Sequence, residues 1–177
     1  MKSRLWSICF VGLALVANAT AKAQVSIPKA QGTTLAGAAV TLPDALKGKV
    51  GVLVVGFSHA SQGQVEAWGR RLAKDYGQSA GVAYFEIPML AGAPKMLRGM
   101  IVKSMSKSVP EAERPHFLPL MEGEPAWRAA AHYSKPDDAY VLLVNGDGVV
   151  EWQTEGDATE AAYATLKRQI EARKPGP

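Results

Sequence analysis

An α/β fold, with a central mixed sheet flanked by helices and a β-hairpin ahead of it, is predicted by three features of this 177-residue sequence. Residues 50–57 are all apolar or glycine, the pattern of a short strand buried on both faces. The period then changes. Val65, Trp68, Leu72 and Tyr76 follow at steps of three and four, one stripe of a helix. Two more apolar runs, residues 82–87 and 138–144, supply further strands. The second is closed by Asn145-Gly146-Asp147-Gly148, a hairpin turn that adds an antiparallel pair. A buried strand, a tight polar turn and a helix packing back on the sheet make half of an α/β unit. The turn at residues 58–63 opens the helix N-terminus, where unpaired N–H groups are expected.

The remaining elements follow in order. Residues 25–28 read as a short strand, and residues 33–42 as two short strands about Gly37. Residues 43–47 form one helical turn with Pro43 at its start. Pro88 stops the second central strand. Residues 93–109 read as a helix whose stripe is Met96, Leu97, Met100, Ile101 and Met105. Its principal reading is core, with Met filling irregular gaps against the sheet. The alternatives are an adaptable partner groove or a soft-metal site for Cu(I). Residues 110–119 are irregular, with three prolines, and residues 125–133 form a short helix started by Pro125. Val150 and Trp152 are expected on one face of the return strand. Asp157 caps the last helix, whose stripe is Tyr163, Leu166 and Ile170.

Residues 1–23 are expected to lie outside this fold. Lys2 and Arg4 precede an apolar segment at 5–17, and Ala21-Lys22-Ala23 is a small-x-small site, the layout of a secretory signal peptide. The same segment kept as an uncleaved anchor is the other reading. One domain, residues 24–177, remains, and 47% apolar content is enough for its core. Three of the twenty basic residues, Lys2, Arg4 and Lys22, precede it. That leaves seventeen against sixteen acidic residues, a net charge of +1 and no electrostatic case for nucleic acid. Cys9 is the sole cysteine, so residues 24–177 have no thiol for disulfide or peroxidase chemistry.

The element order resembles the thioredoxin-like fold of extracytoplasmic redoxins. The likeness rests on Leu46-Lys47-Gly48-Lys49-Val50 leading into the first central strand, on residues 140–148, and on Gly156-Asp157 before the last helix. Gly56-Phe57-Ser58-His59-Ala60-Ser61-Gln62-Gly63-Gln64 falls where that fold carries its redox cysteines. It is also similar to the Gly-Phe-Thr-His-Cys-Pro-Asp-x-Cys segment of copper-delivery proteins. In that register Ala60 and Gln64 stand where the cysteines would be; in a thioredoxin register Ser61 or Gln62 does. Ala139 takes about the place of the fold's cis-proline. The resemblance therefore implies a redox-inactive member. Thr34-Leu35-Ala36-Gly37, the strand lead-in, residues 57–61 leading to Trp68, residues 106–111 and the 138–152 hairpin are similar to the mitochondrial ATP synthase assembly-factor family. Its members are thioredoxin-like and help build the membrane sector.

The expected function is a redox-inactive exported binding or assembly module. No catalytic residue and no cofactor is assigned. Its ligand- or partner-binding residues are Ser58, His59, Ser61 and Gln62 in the polar turn, with the Met-rich helix beside them. His59 reads as a turn-bonding residue, as an anion ligand with Ser58 and Ser61 at the helix N-terminus, or as a metal ligand. The alternative function is a copper or zinc carrier, or an enzyme, using His59. His116 and His132 complete the set, with no paired spacing among the three. Glu66 and Glu86 read as a helix-start charge and a strand-end charge. Lys95, Arg98, Lys103 and Lys107 read as a solvated helix face, or as a surface for acidic lipid or an acidic partner. A protein partner is expected, with peripheral membrane contact as a second interaction.

Overall fold

The computed structural model describes residues 24–174. The expected signal peptide, residues 1–23, lies outside the described residues. Strands β1 (Ala30–Thr33) and β2 (Ala39–Leu42) pair antiparallel, Ala30 opposite Leu42 and Thr33 opposite Ala39, about a turn in which Gly37 has φ +85°. Only glycine adopts that conformation at little cost. The expected strand at 25–28 reduces to one bridge, Ser26 to Val149. A 3-10 turn, Asp44–Leu46, leads into the main sheet.

That sheet has the order β4-β3-β5-β6 and is mixed. Strand β3 (Val50–Gly56) pairs parallel with β4 (Val82–Pro88) and antiparallel with β5 (Ala139–Val144), which pairs antiparallel with β6 (Val150–Glu155). Every residue of β3 and β5 is buried, as their continuous apolar runs require. The period of two splits them between two cores. Leu53, Val55, Tyr140 and Leu142 face a core with Leu42, Leu118 and Trp127. Val52, Val54, Val141 and Leu143 face helices α1 (Gln62–Tyr76) and α4 (Glu160–Glu171). All four predicted stripe residues of α1 are buried, as are Tyr163, Leu166 and Ile170 of α4.

Four local expectations are corrected. Val150 and Trp152 fall on opposite faces, because the β5–β6 register shifts between Leu143 and Val144. A bulge adds a residue and reverses the alternation. Helix α4 is capped by Thr159, whose Oγ1 accepts from the Ala162 amide at 3.2 Å, and not by Asp157. Glu86 is no solvated strand-end charge: it is only 1% exposed. The largest correction concerns α2 (Lys95–Ser108), which has no buried residue. Met96 is 87% exposed and Met100 64%, so the methionine stripe is not core. Half-buried Ile101 and Met105 and a set of polar bonds hold this helix. The Arg98 guanidinium donates to three backbone carbonyls, Ala91 at 2.7 Å, Ala93 at 2.9 Å and Met121 at 3.1 Å.

The open edge of β4 is covered by residues 117–120, which bridge to Glu86 and Met89. Leu118 N–H donates to Glu86 O at 2.8 Å and Leu120 N–H to Pro88 O at 3.1 Å. That closes one sheet edge against chance pairing and brings Phe117 toward the C-terminal end of the sheet. Short helix α3 (Glu124–Ala130) follows and packs Trp127 into the first core.

Candidate functional site

The β3–α1 turn is built by its own serines. Gly56 ends β3 where a Cβ would lie 2.8 Å from Ser61 Oγ and 2.9 Å from a Val65 methyl, so only glycine lets the turn close. Ser58 Oγ donates to Pro136 O at 2.6 Å and accepts from the amides of Ala60 at 3.0 Å and Ser61 at 3.3 Å. Ser61 is fully buried, and its hydroxyl donates to Ser58 O at 2.9 Å. The amides of Gln62 and Gln64 donate to His59 O and Ser61 O. Most of the N–H groups that sequence reasoning left unpaired, those of Ala60, Ser61, Gln62, Gln64 and Val65, therefore have acceptors within the turn.

The four predicted binding residues thus sit in one turn with different parts to play. Ser58 and Ser61 shape it. His59 and Gln62 are exposed at its surface, where Gln62 Nε2 bonds Glu66 Oε1 at 2.8 Å. Gln64, at the second cysteine position of the copper-delivery register, accepts from the Ala139 amide through Oε1 at 2.8 Å. A side-chain amide at one cysteine position is thus tied to the backbone at the position expected of the cis-proline.

Beside the turn lies a cleft of about 430 Å³. Its polar rim includes His59, Gln62 and Glu66, and its wall includes Ile101 and Met105 from the inner side of α2. Phe117, Glu124 and Arg128 also line it, and sequence reasoning missed all three. Arg128 pairs with Glu124 at 2.7 Å, and its guanidinium lies 3.9 Å from the Tyr133 ring centroid and 5.5 Å from that of Phe57. The Glu124–Arg128 spacing of four was the available signal.

The histidines are not assembled. The His116 ring stacks on Tyr84, centroids 4.0 Å apart, and burial holds its pKa below the ordinary value. His132 Nδ1 meets Gln153 Nε2 at 2.6 Å. Among the described residues, no three His, Cys, Asp or Glu side chains converge as a metal site.

The sequence matches the family model described as "ATP10 protein" over residues 19–172. The chain belongs to the ATP10 protein family. No curated protein matches it. Among solved structures, an uncharacterized conserved protein from Geobacillus kaustophilus is 19% identical, with 94% of this chain and 92% of that one covered at a TM-score of 0.60. The thioredoxin domain of a thiol-disulfide oxidoreductase from Bacteroides vulgatus is 15% identical, with coverage of 85% and 99% and a TM-score of 0.54. BsSco, of the Sco family of cytochrome c oxidase assembly proteins, is 13% identical, with coverage of 84% and 93% and a TM-score of 0.57. These likenesses establish a thioredoxin-like fold. On that fold the ATP10-family chain places Ala60, Ser61, Gln62 and Gln64 in the β3–α1 region, and residues 24–177 carry no cysteine.

Proposed function

We propose that residues 24–177 form an exported, redox-inactive binding and assembly module, delivered to the periplasm or secreted by a signal peptide at 1–23. Its recognition surface is the cleft between the β3–α1 turn and α2, with His59 and Gln62 as rim contacts and Ser58 and Ser61 holding the turn. One observation carries the reading. Ser61 and Gln64, at two of the expected redox positions, are committed to building the turn and bonding Ala139, while an apolar cleft with a polar rim lies beside them. Such a cleft suits an apolar side chain or segment entered from a partner. ATP10-family membership makes a subunit of the ATP synthase membrane sector the first partner to seek.

The test is photo-crosslinking in cells from a benzophenone side chain at Gln62 or, as a surface control, at Gln169. A discrete adduct from Gln62, absent from Gln169 and lost when Met105→Lys charges the cleft wall, is expected. No adduct, or turnover with a dithiol donor by the purified protein, would overturn the proposal. A Cu(I) carrier is the second reading, favoured by His59, Met89 and Met105 lining the same cleft. It requires tight Cu(I) binding that His59→Ala abolishes, and the binding-module reading expects none.

A further inference from the structure

The outer side of α2 is unexplained by the cleft. Ile101 and Met105 face inward, and Arg98 is engaged by three carbonyls. On the opposite side Met96, Met100, Lys103 and Lys107, spaced four, three and four apart, form one outward stripe. Leu97, 39% exposed, flanks it on one side and Lys95 on the other. Residues 93–110 contain no acid. Among the described residues no carboxylate pairs with Lys95, Lys103 or Lys107. Since residues 24–177 have a net charge of only +1, the rest of the domain is net negative and the positive charge is concentrated here.

We propose that this stripe is a docking surface for an anionic membrane, lying parallel to the interface. This inference goes beyond the cleft and does not rest on it. Unbranched Met side chains enter the headgroup–acyl boundary, and lysines on the same stripe reach back to anionic headgroups along their flexible stems. Charge complementarity selects this occupant over a second copy of the chain. A symmetric pairing of two such helices would oppose lysine to lysine if parallel and lysine to methionine if antiparallel, and in neither would a lysine meet a carboxylate, since residues 93–110 contain none. Three exposed apolar side chains also fall well short of the roughly 800 Å² per partner that a stable dimer buries.

The test material is residues 24–177, because the described residues 24–174 enclose a four-stranded sheet with a buried core on each face. Residues 24–177 would be floated with vesicles of phosphatidylcholine alone or mixed equally with phosphatidylglycerol, at low and at physiological salt. Binding to the anionic vesicles, weakened by salt and nearly absent on phosphatidylcholine, is expected. Lys103→Ala with Lys107→Ala should weaken it roughly 25-fold, about fivefold for each charge removed. Met96→Ser with Met100→Ser should weaken it roughly tenfold or more. Both variants should keep the parent thermal midpoint, since these side chains are exposed. Absence of binding at low salt, binding indifferent to vesicle charge, or binding unchanged in both variants would overturn the proposal. Sedimentation without lipid that shows a dimer abolished by Met96→Ser with Met100→Ser would assign the stripe to a second copy and overturn it as well.

Discussion

Replacing Glu86 by glutamine is expected to change stability by less than about 1 kcal/mol at about pH 5 and to raise it by about 5 kcal/mol at about pH 8. Glu86 lies in the middle of β4 under α1, where Gly69 makes room for it: a Cβ on Gly69 would overlap the carboxyl group. The side chain is 1% exposed and its Oε2 has no hydrogen-bond partner among the described residues. Burial pushes its pKa up to about 9, helped by the nearby Glu113 and Glu66 and opposed by Arg70. The folded state therefore holds a proton that the unfolded chain releases near the ordinary carboxylate value of 4.5. Stability is full below that value and is lost as pH rises toward about 9, at about 1.4 kcal/mol per pH unit. Glutamine keeps the shape of the protonated acid and removes the titration. Urea unfolding of both proteins across this range would measure the divergence. Parallel pH profiles would show that Glu86 is ionised at little cost, by means the fold does not display.

Trp68→Ala is expected to cost about 3–5 kcal/mol, enough to threaten folding at physiological temperature. Trp68 is fully buried between α1, the sheet and α4, with its ring centroid 6.2 Å from that of Tyr163. Its indole Nε1 donates to Gly156 O at 2.9 Å, bridging the first helix to the turn before the last. Truncation opens a cavity and strands that carbonyl. Trp68→Phe separates the two losses: it keeps most of the volume and drops the bond, so about 1–2 kcal/mol is expected. Equal costs for the two variants in denaturant unfolding would mean that the bond outweighs the packing.

The positions that were legible in the sequence are those where pattern and environment coincide. Residues 50–56 are apolar without interruption because β3 is central and covered on both sides. The Val65-Trp68-Leu72-Tyr76 stripe was read correctly because it meets that sheet. The same reasoning failed on α2 because periodicity identifies a face without saying what it meets. Met96 and Met100 obey the helical spacing and point outward. Glu86 was misread because the gap that admits it is made by Gly69, far away in sequence. Ser61 was legible as a turn residue, but its complete burial follows from the close approach that Gly56 allows. Arg128 became part of the cleft through stacking on Tyr133 and Phe57, contacts with no local signature.

The three carbonyl bonds of Arg98 bear on motion as well as on placement. Helix α2 has no fully buried side chain, whereas β3 and β5 have no exposed one, so the two belong to different tiers of local stability. What unlatching α2 must break is the Arg98 bonds and the half-buried contacts of residues such as Ile101 and Met105, while parting the central strands must open the whole core. Ile101 and Met105 make that less stable helix a wall of the cleft. The cleft thus has one wall of low local stability and one, the sheet end, of high local stability.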